Sequence, residues 1–428
     1  MALDREEFRR RREERLQKRQ EEKARQKKLF IKLGIAGAAL VAVAVLIAVV
    51  VGSAQKTPSQ ETKPTEQTQP GQMEQQTQST EQTQPAQTVI HLAAAGDLNV
   101  TDLVVASGGA AYDYTETFLD VAPVLAHADL TVLNFEGQLL GAPYGSTRSA
   151  PQSMMEALSK AGVDMIQLAN SYAISGGVSG LADTIDGVKA AGMEPLGVYA
   201  TQQERQAGKG YTIRMVNGIK IAMIAFTKDM DGMALPRGSE GCVNVLYTDY
   251  SSTYQQVDRD GITKVLDAVA KEKPDLTVAL LHWGSEYNDT VSESQKEICS
   301  LMQEKGVDAI IGTHPHYVHK MELDVQTGRF IAYSLGDMIS DAQRSGTEYS
   351  VILDLEITKD NASGKTQITG YSYTPIFTVA EKDKPVKVVR IAETMTAFEN
   401  NYIEKVSQST YNAMEYALER IQARTAGE

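Results

Sequence analysis

Residues 309–319 read Ala309-Ile310-Ile311-Gly312-Thr313-His314-Pro315-His316-Tyr317-Val318-His319: an apolar run that stops at a glycine and then presents three imidazoles within six positions. A short apolar run bounded by a turn signal reads as a buried strand. In α/β sheets the ligand-binding groups lie just beyond the carboxyl ends of strands. Three other apolar runs end in the same manner, at Ala95-Gly96-Asp97, Asn134-Phe135-Glu136 and His282-Trp283-Gly284. These four turns are expected to converge on one cleft.

Working outward, strands are expected at Val89–Ala95, Leu130–Phe135, Met165–Leu168, Glu194–Val198, Tyr211–Val216, Ile219–Phe226, Leu276–His282, Ala309–Ile311, Phe330–Ser334 and Ser350–Ile357. Helices are expected at Thr117–His127, Pro151–Ala161, Gly180–Ala191, Asp258–Lys271 and Ser292–Lys305. Asn217-Gly218 between two apolar runs predicts a β-hairpin, so parallel and antiparallel pairings mix. The pattern is that of an α/β domain over 88–392. After about Glu393, apolar residues at spacings of three and four predict an amphipathic helical segment, 393–428, packed on the domain.

The front of the chain has a different character. From Leu33 to Val51 there are nineteen residues without charge or amide, which as a helix would span about 28 Å, close to the thickness of the bilayer hydrocarbon. The 1–32 tail carries 13 Lys/Arg against 7 Asp/Glu, so the positive-inside bias predicts a cytoplasmic N-terminus and an extracellular C-terminal domain. A cleaved signal peptide is the alternative, with Val51-Gly52-Ser53-Ala54 as the cleavage site, although its apolar core should be shorter. Residues 52–87, rich in Gln, Thr and Pro, cannot repay their ordering entropy and read as a disordered stalk.

The formal charge is −13, of which the first 32 residues contribute +6, leaving −19 for the remainder. Such an acidic domain excludes nucleic acid as the natural partner, because that affinity rests on neutralised phosphates. A polyanion would need locally gathered basic residues or an intervening metal ion. Cys242 and Cys299 are the only cysteines, and a disulfide and two isolated buried thiols both remain open.

Four of the six histidines belong to the two strand ends at His282 and His314-Pro315-His316, with His319 just beyond. Imidazoles so placed suggest metal binding; ordinary loop hydrogen bonding is the bland alternative. His91, inside the first strand, and His127, at a helix end, read as structural. Asp97 and Glu136 follow the first two strands. Buried carboxylates are costly unless paired or metal-bound, which makes these two better site candidates than the helical acids.

At this point the chain resembles a known family. Ala95-Gly96-Asp97-Leu98-Asn99, Asn134-Phe135-Glu136-Gly137, Leu168-Ala169-Asn170, Gly180-Leu181, His282-Trp283-Gly284-Ser285-Glu286-Tyr287, Gly312-Thr313-His314-Pro315-His316 and Tyr333-Ser334-Leu335-Gly336-Asp337 are similar, in order and spacing, to the CapA or PgsA family of capsule and poly-γ-glutamate synthesis proteins. That family is a branch of the calcineurin-like metallophosphatase superfamily. The resemblance implies a four-layer α/β/β/α sandwich whose strand-end loops hold one or two divalent ions of Mn, Zn or Fe. It implies metal ligands at Asp97, Glu136, Asn170, His282, His314 and His316, with Asn99 where superfamily phosphatases carry a histidine. The ligand next to Asn170 in the family pattern would fall on Ser171. Glu286, Tyr287 and His319 are implied to face substrate or to support the ligands.

The chain departs from that pattern at one place. The family's Ala-Asn-Asn-His, followed by an aspartate three residues on, is here Ala169-Asn170-Ser171-Tyr172-Ala173-Ile174-Ser175. Tyr172 stands for the histidine and Ser175 for the aspartate, and a phenol of pKa about 10 is a poor proton shuttle near pH 7. The resemblance therefore implies a metal-binding surface protein that assists synthesis, export or retention of an anionic polymer such as poly-γ-glutamate, beside membrane synthesis or export proteins, with weak or absent phosphatase activity. The alternatives are a metal-dependent hydrolase of an extracellular phosphoester or polymer amide, and a non-catalytic interaction scaffold.

Overall fold

The computed structural model describes residues 86–382, 384–400 and 406–427. The expected tail, apolar helix and nearly all of the stalk lie outside the described residues, as do residues 401–405 of the expected C-terminal helical segment. Among the described residues no helix is long and apolar enough to cross a membrane.

Among the described residues fourteen strands form two sheets: β1 (Gln87–Asn99), β2 (Leu130–Glu136), β3 (Met165–Gln167), β4 (Glu194–Leu196), β5 (Thr212–Val216), β6 (Ile219–Thr227), β7 (Leu276–His282), β8 (Ala309–Thr313), β9 (Met321–Asp324), β10 (Arg329–Ala332), β11 (Asp337–Ile339), β12 (Tyr349–Asp360), β13 (Thr366–Val379) and β14 (Lys387–Arg390). One sheet runs β14-β13-β12-β1-β2-β3-β4, with β11 also paired to β1; the other runs β5-β6-β7-β8-β10-β9. They pack across one another at β1 against β8 and β4 against β6, giving a mixed α/β sandwich.

Helices cover the sheets with the apolar stripes that their spacing predicts. Ile262, Val265, Leu266 and Val269 of helix Arg259–Glu272 and Ile298, Leu301 and Met302 of helix Glu293–Glu304 bury against Ala222, Ile224, Phe226, Ala279 and Leu281 of the six-stranded sheet. Ser292 caps the second of these helices in a reciprocal box with Gln295. On the other sheet, helix Gln152–Ala161 buries Met154, Met155 and Leu158, and helix Gly177–Ala190 buries Leu181, Ile185 and Val188.

The hairpin at Asn217-Gly218 is present between β5 and β6, with both residues at positive φ, 47° and 84°. The helix expected over Thr117–His127 is two short ones, Thr115–Phe118 and Ala122–Leu125, because Pro123 has no N–H to give and is accepted only in a first turn. Strands β9, β11, β13 and β14 were not expected. β13 is mostly half-exposed and polar, and β11 is three residues long, so neither carries an apolar run. Helix Gln408–Ala426 buries Met414, Ala417 and Ile421, and its Thr425 hydroxyl lies 3.1 Å from that of Tyr373, so it packs on the domain. Cys242 and Cys299 are free and buried.

The feature that positions the site is a change of partner along β1. Residues 87–95 pair antiparallel with β12; past a bulge, Asp97 and Leu98 pair parallel with Asp337 and Ile339 of β11. Gly96 stands at this switch, where a Cβ would lie 1.8 Å from the Gly336 carbonyl oxygen. Only glycine admits so close a backbone approach. The Asp97 N–H donates to that same carbonyl at 3.0 Å.

Candidate metal centre

β1 and β2 are parallel and in a register that sets Asp97 beside Asn134 and Asn99 beside Glu136. β7 and β8 are parallel in the facing sheet, with His282 beside Thr313 and the His314 loop immediately after. The strand ends of both sheets therefore meet. Two groups result, each with its donor atoms within 4.8 Å of one another: Glu136, His282 and His314, and Asp97, His316 and Asp337. All six residues are buried.

In the first group His282 Nε2 is 3.2 Å from Glu136 Oε1, and the His282 and His314 rings are 4.5 Å apart. In the second, His316 Nδ1 is 2.7 Å from Asp337 Oδ1 and 3.7 Å from Asp97 Oδ2. Asp97 links the two halves: one oxygen accepts the His314 N–H at 2.9 Å and the other the Asn134 amide at 2.6 Å. The histidine loop is held in uncommon backbone, with φ 94° at His314 and 61° at His316. Non-glycine residues in that region cost on the order of 1–3 kcal/mol each and persist where surrounding structure holds them, which is often at functional sites.

The electrostatics are those of ligands without a counter-charge. Burial pushes the Asp97 carboxyl up to about 6 against the pull of His316. Burial also raises Glu136 well above the carboxylate range, and neighbouring Asp97 adds to it. Burial depresses His282 well below the usual imidazole value and His314 to about 3, so both rings are neutral, as a metal requires. His316 is opposite in sign: burial lowers it, but Asp337 and Glu286 outweigh that and raise it. Buried His314 Nδ1 has no hydrogen-bond partner. Neutral imidazoles, clustered carboxylates and an orphaned buried ring nitrogen fit a divalent cation with mixed N and O ligands.

The remaining expected residues are distributed around this centre. Asn170 is buried with its amide already used: Nδ2 donates to Asn134 Oδ1 at 3.1 Å and to Phe135 O at 2.7 Å, while Oδ1 accepts from the Tyr172 N–H. Asn99 is buried on β1 opposite Glu136. Glu286 Oε1 is 3.8 Å from His316 Nε2, and the Tyr287 ring stacks on His316 with centroids 5.0 Å apart. His319 is buried outside both groups, its Nε2 2.7 Å from Asn288 O. His91 pairs with Asp354 at 2.8 Å and lies near His127, away from the centre.

A cleft of about 310 Å³ opens over His314, lined by Ser171, Tyr172, Lys228, Asp229, Asp231, Tyr254 and Glu286 among others. Tyr172 thus occupies the cleft wall. Its ring carries the Arg148 guanidinium at 4.3 Å, and burial pushes its phenol up to about 12. Ser175 is exposed and donates to the Tyr172 carbonyl at 2.8 Å. Asp337, Lys228 and Asp229 were missed as site residues. Asp337 followed a glycine within a quoted motif, a usable signal; Lys228 and Asp229, in the irregular stretch after β6, offered none.

Facing sheets whose strand ends carry two acid–histidine groups define an α/β-sandwich protein with a candidate metal centre. Residues 91–342 match the family described as bacterial capsule synthesis protein PGA_cap, and the chain belongs to that family. It is 28% identical over 261 residues to the capsule biosynthesis protein CapA of Bacillus anthracis, covering 59% of this chain and 60% of that one. It is also 28% identical over 215 residues to the PGA biosynthesis protein CapA of Bacillus subtilis, covering 48% and 50% respectively. The match thus spans less than two thirds of either relative. Among solved structures, a calcineurin-like phosphoesterase of Bacillus subtilis is similar at 16% identity and a TM-score of 0.43, covering 78% of this chain and 99% of that one.

Proposed function

We propose that this chain is a membrane-anchored surface protein that assists synthesis, export or retention of an anionic extracellular polymer, using bound divalent metal to meet the polymer, with weak or absent phosphatase activity. The observation that carries the reading is a contrast: six buried ligand-type residues are assembled, one of which, His314, lines the cleft, while the cleft-wall position of the expected proton-transfer histidine holds Tyr172. Asp97, Glu136, His282, His314, His316 and Asp337 would hold the metal. A bound ion would supply the positive charge that polymer carboxylates or phosphoryl oxygens require.

Lys228 supports an anionic ligand. It lies in the cleft, donating to Gly284 O at 2.8 Å and resting 4.7 Å above the Tyr254 ring, a local basic group in an otherwise acidic chain. Poly-γ-glutamate is favoured by the similarity to the PGA biosynthesis protein CapA of Bacillus subtilis. The apolar stretch Leu33–Val51 and the polar stretch after it support an anchor and a stalk that keep the domain over 88–392 beside an export apparatus. A second reading, a metal-dependent hydrolase, is favoured by the adjacency of two ligand groups, since paired ions can clamp both oxygens of a displacement.

The test is metal analysis of the purified chain together with binding and cleavage assays on poly-γ-glutamate and a broad set of phosphoesters. One or two equivalents of metal, with polymer binding and no turnover, is the expected result. Metal-dependent turnover would establish the hydrolase instead, and absence of stoichiometric metal would remove the ligand assignment.

A further inference from the structure

We propose that Arg424, on helix Gln408–Ala426, is a positioning residue of the metal centre: it clasps the loop after β7 to the histidine loop after β8 and so holds His316, Glu286 and Tyr287 in place. The inference rests on the metal-binding reading above and extends it to a helix beyond residues 91–342, the part of the chain that the family matches.

The two loops touch beside the site. The Tyr287 N–H donates to the Pro315 carbonyl at 3.0 Å, and His319 Nε2 lies 2.7 Å from the Asn288 carbonyl oxygen. The Tyr287 ring stacks on His316 and meets the Tyr317 ring edge-on, with centroids 5.0 and 6.1 Å away. Tyr287, His314 and His316 all stand at positive φ, 55°, 94° and 61°. Residues with side chains keep such backbone only where their surroundings impose it.

Part of that restraint arrives from the C-terminal helix. Arg424 Nη2 is 2.6 Å from Asp289 Oδ1 in the first loop, and its guanidinium carbon lies 4.6 Å from the centre of the Tyr317 ring in the second. One side chain therefore contacts both loops. It is only 10% exposed, and its Nε and Nη1 are buried without a hydrogen-bond partner. Docking the helix does not call for so costly a group. Met414, Ala417 and Ile421 already bury an apolar stripe, and an apolar residue at 424 would extend it without taking a cation out of water. What the guanidinium adds is a planar charge that pairs with a carboxylate and lies on an aromatic face at the same time.

Tyr317 directly follows His316, and Asp289 lies three residues past Glu286, so a shift of either contact is passed to groups beside the metal. The Asp97–His316–Asp337 group is therefore the half of the centre expected to depend on Arg424. In the other half, Glu136 and His282 stand on strands β2 and β7, and the His314 N–H is held by Asp97.

The experiment compares Arg424→Met, which keeps an unbranched apolar side chain on the helix, with wild type in the full chain. Hydrogen exchange in the metal-free protein should quicken in residues 283–292 and 314–320, the loops after β7 and β8, and stay as in wild type in Gln408–Ala426. Asp289→Ala should quicken the same two loops. Titration with Mn2+ or Zn2+ alone should show one equivalent weakened about tenfold, the lower end of what groups behind the ligands contribute. It should be the equivalent that Asp337→Ala loses, while the one that His282→Ala loses keeps its affinity. Unchanged loop exchange, or an unchanged affinity at the Asp337 equivalent, would overturn the role of Arg424 and leave the metal-binding reading standing. Exchange that quickens equally in the helix would show that Arg424 only docks it, which also overturns the proposal. A wild-type chain without stoichiometric metal would overturn both readings.

Discussion

Asp97 and Asp337 stand opposite each other on parallel strands, both buried, with His316 Nδ1 2.7 Å from one and 3.7 Å from the other. Two carboxylates this close in a dry interior need a positive partner. The raised His316 imidazolium supplies it when no metal is bound.

Removing Asp337 should therefore act on both metal and stability. Asp337→Ala is expected to lose one metal equivalent by elemental analysis. In metal-free protein it should lower the unfolding free energy by about 3–5 kcal/mol, the usual cost of leaving a buried pair with one partner, as read by urea denaturation. His316 should titrate at lower pH in Asp337→Asn than in wild type, an NMR observable whose absence would show that Asp337 does not hold the imidazolium.

Metal affinity should fall on acidification because of the carboxylates and His316, and not because of His282 or His314. Burial keeps His282 and His314 neutral, whereas it pushes the Asp97 carboxyl up to about 6 and raises Glu136 well above the carboxylate range, and Asp337 and Glu286 outweigh burial to raise His316. Each proton displaced by the ion costs about tenfold in apparent affinity per pH unit below the relevant pKa. Titrations between pH 5 and 8 should show affinity rising with pH and protons released on binding. A pH-independent affinity would contradict this.

Replacing the cleft-wall phenol should restore what the site lacks. Tyr172, pushed up to about 12, holds its proton at neutral pH. Tyr172→His with Ser175→Asp is expected to raise metal-dependent hydrolysis of a phosphoester by at least about 10²-fold, the lower end of general acid–base contributions. Tyr172→Phe should leave any basal turnover and its pH profile unchanged. A marked loss in Tyr172→Phe would mean that the phenol itself has been recruited.

The C-terminal helix should detach in strong acid. Burial acts to raise Glu381, but the Ser407 N–H, Lys384 and the Thr410 hydroxyl bind its carboxylate and pull it down to about 2. A depressed carboxyl contributes stability that is complete above its unfolded value near 4.5 and is lost as pH falls through about 2. Hydrogen exchange in Gln408–Ala426 should accelerate over that window, and in Glu381→Gln it should be fast already at pH 5.

Local chemistry along the chain determined a great deal. Apolar runs ending in glycine located β1, β2, β7 and β8, since a buried strand declares itself by composition and a loop follows where the backbone must turn. The same ends disclosed Asp97, Glu136, His282, His314 and His316, because carboxylates and imidazoles at buried positions have few uses besides pairing and ligation. The nineteen residues from Leu33 likewise carry the expectation of a membrane-length helix from composition alone, on a stretch outside the described residues. Only the tertiary structure decided which of the site residues come together in one group. Gly96 reads as one more strand-end glycine until Gly336 is seen against it; that contact moves β1 from β12 to β11 and brings in Asp337, more than two hundred residues away. Asn170 and Ser171 are neighbours in sequence that the fold sets in different hydrogen-bond networks, Asn170 with Asn134 and Phe135 and Ser171 with Asp229. Donor direction and strand register are properties of packing across the two sheets, so no local pattern encodes them.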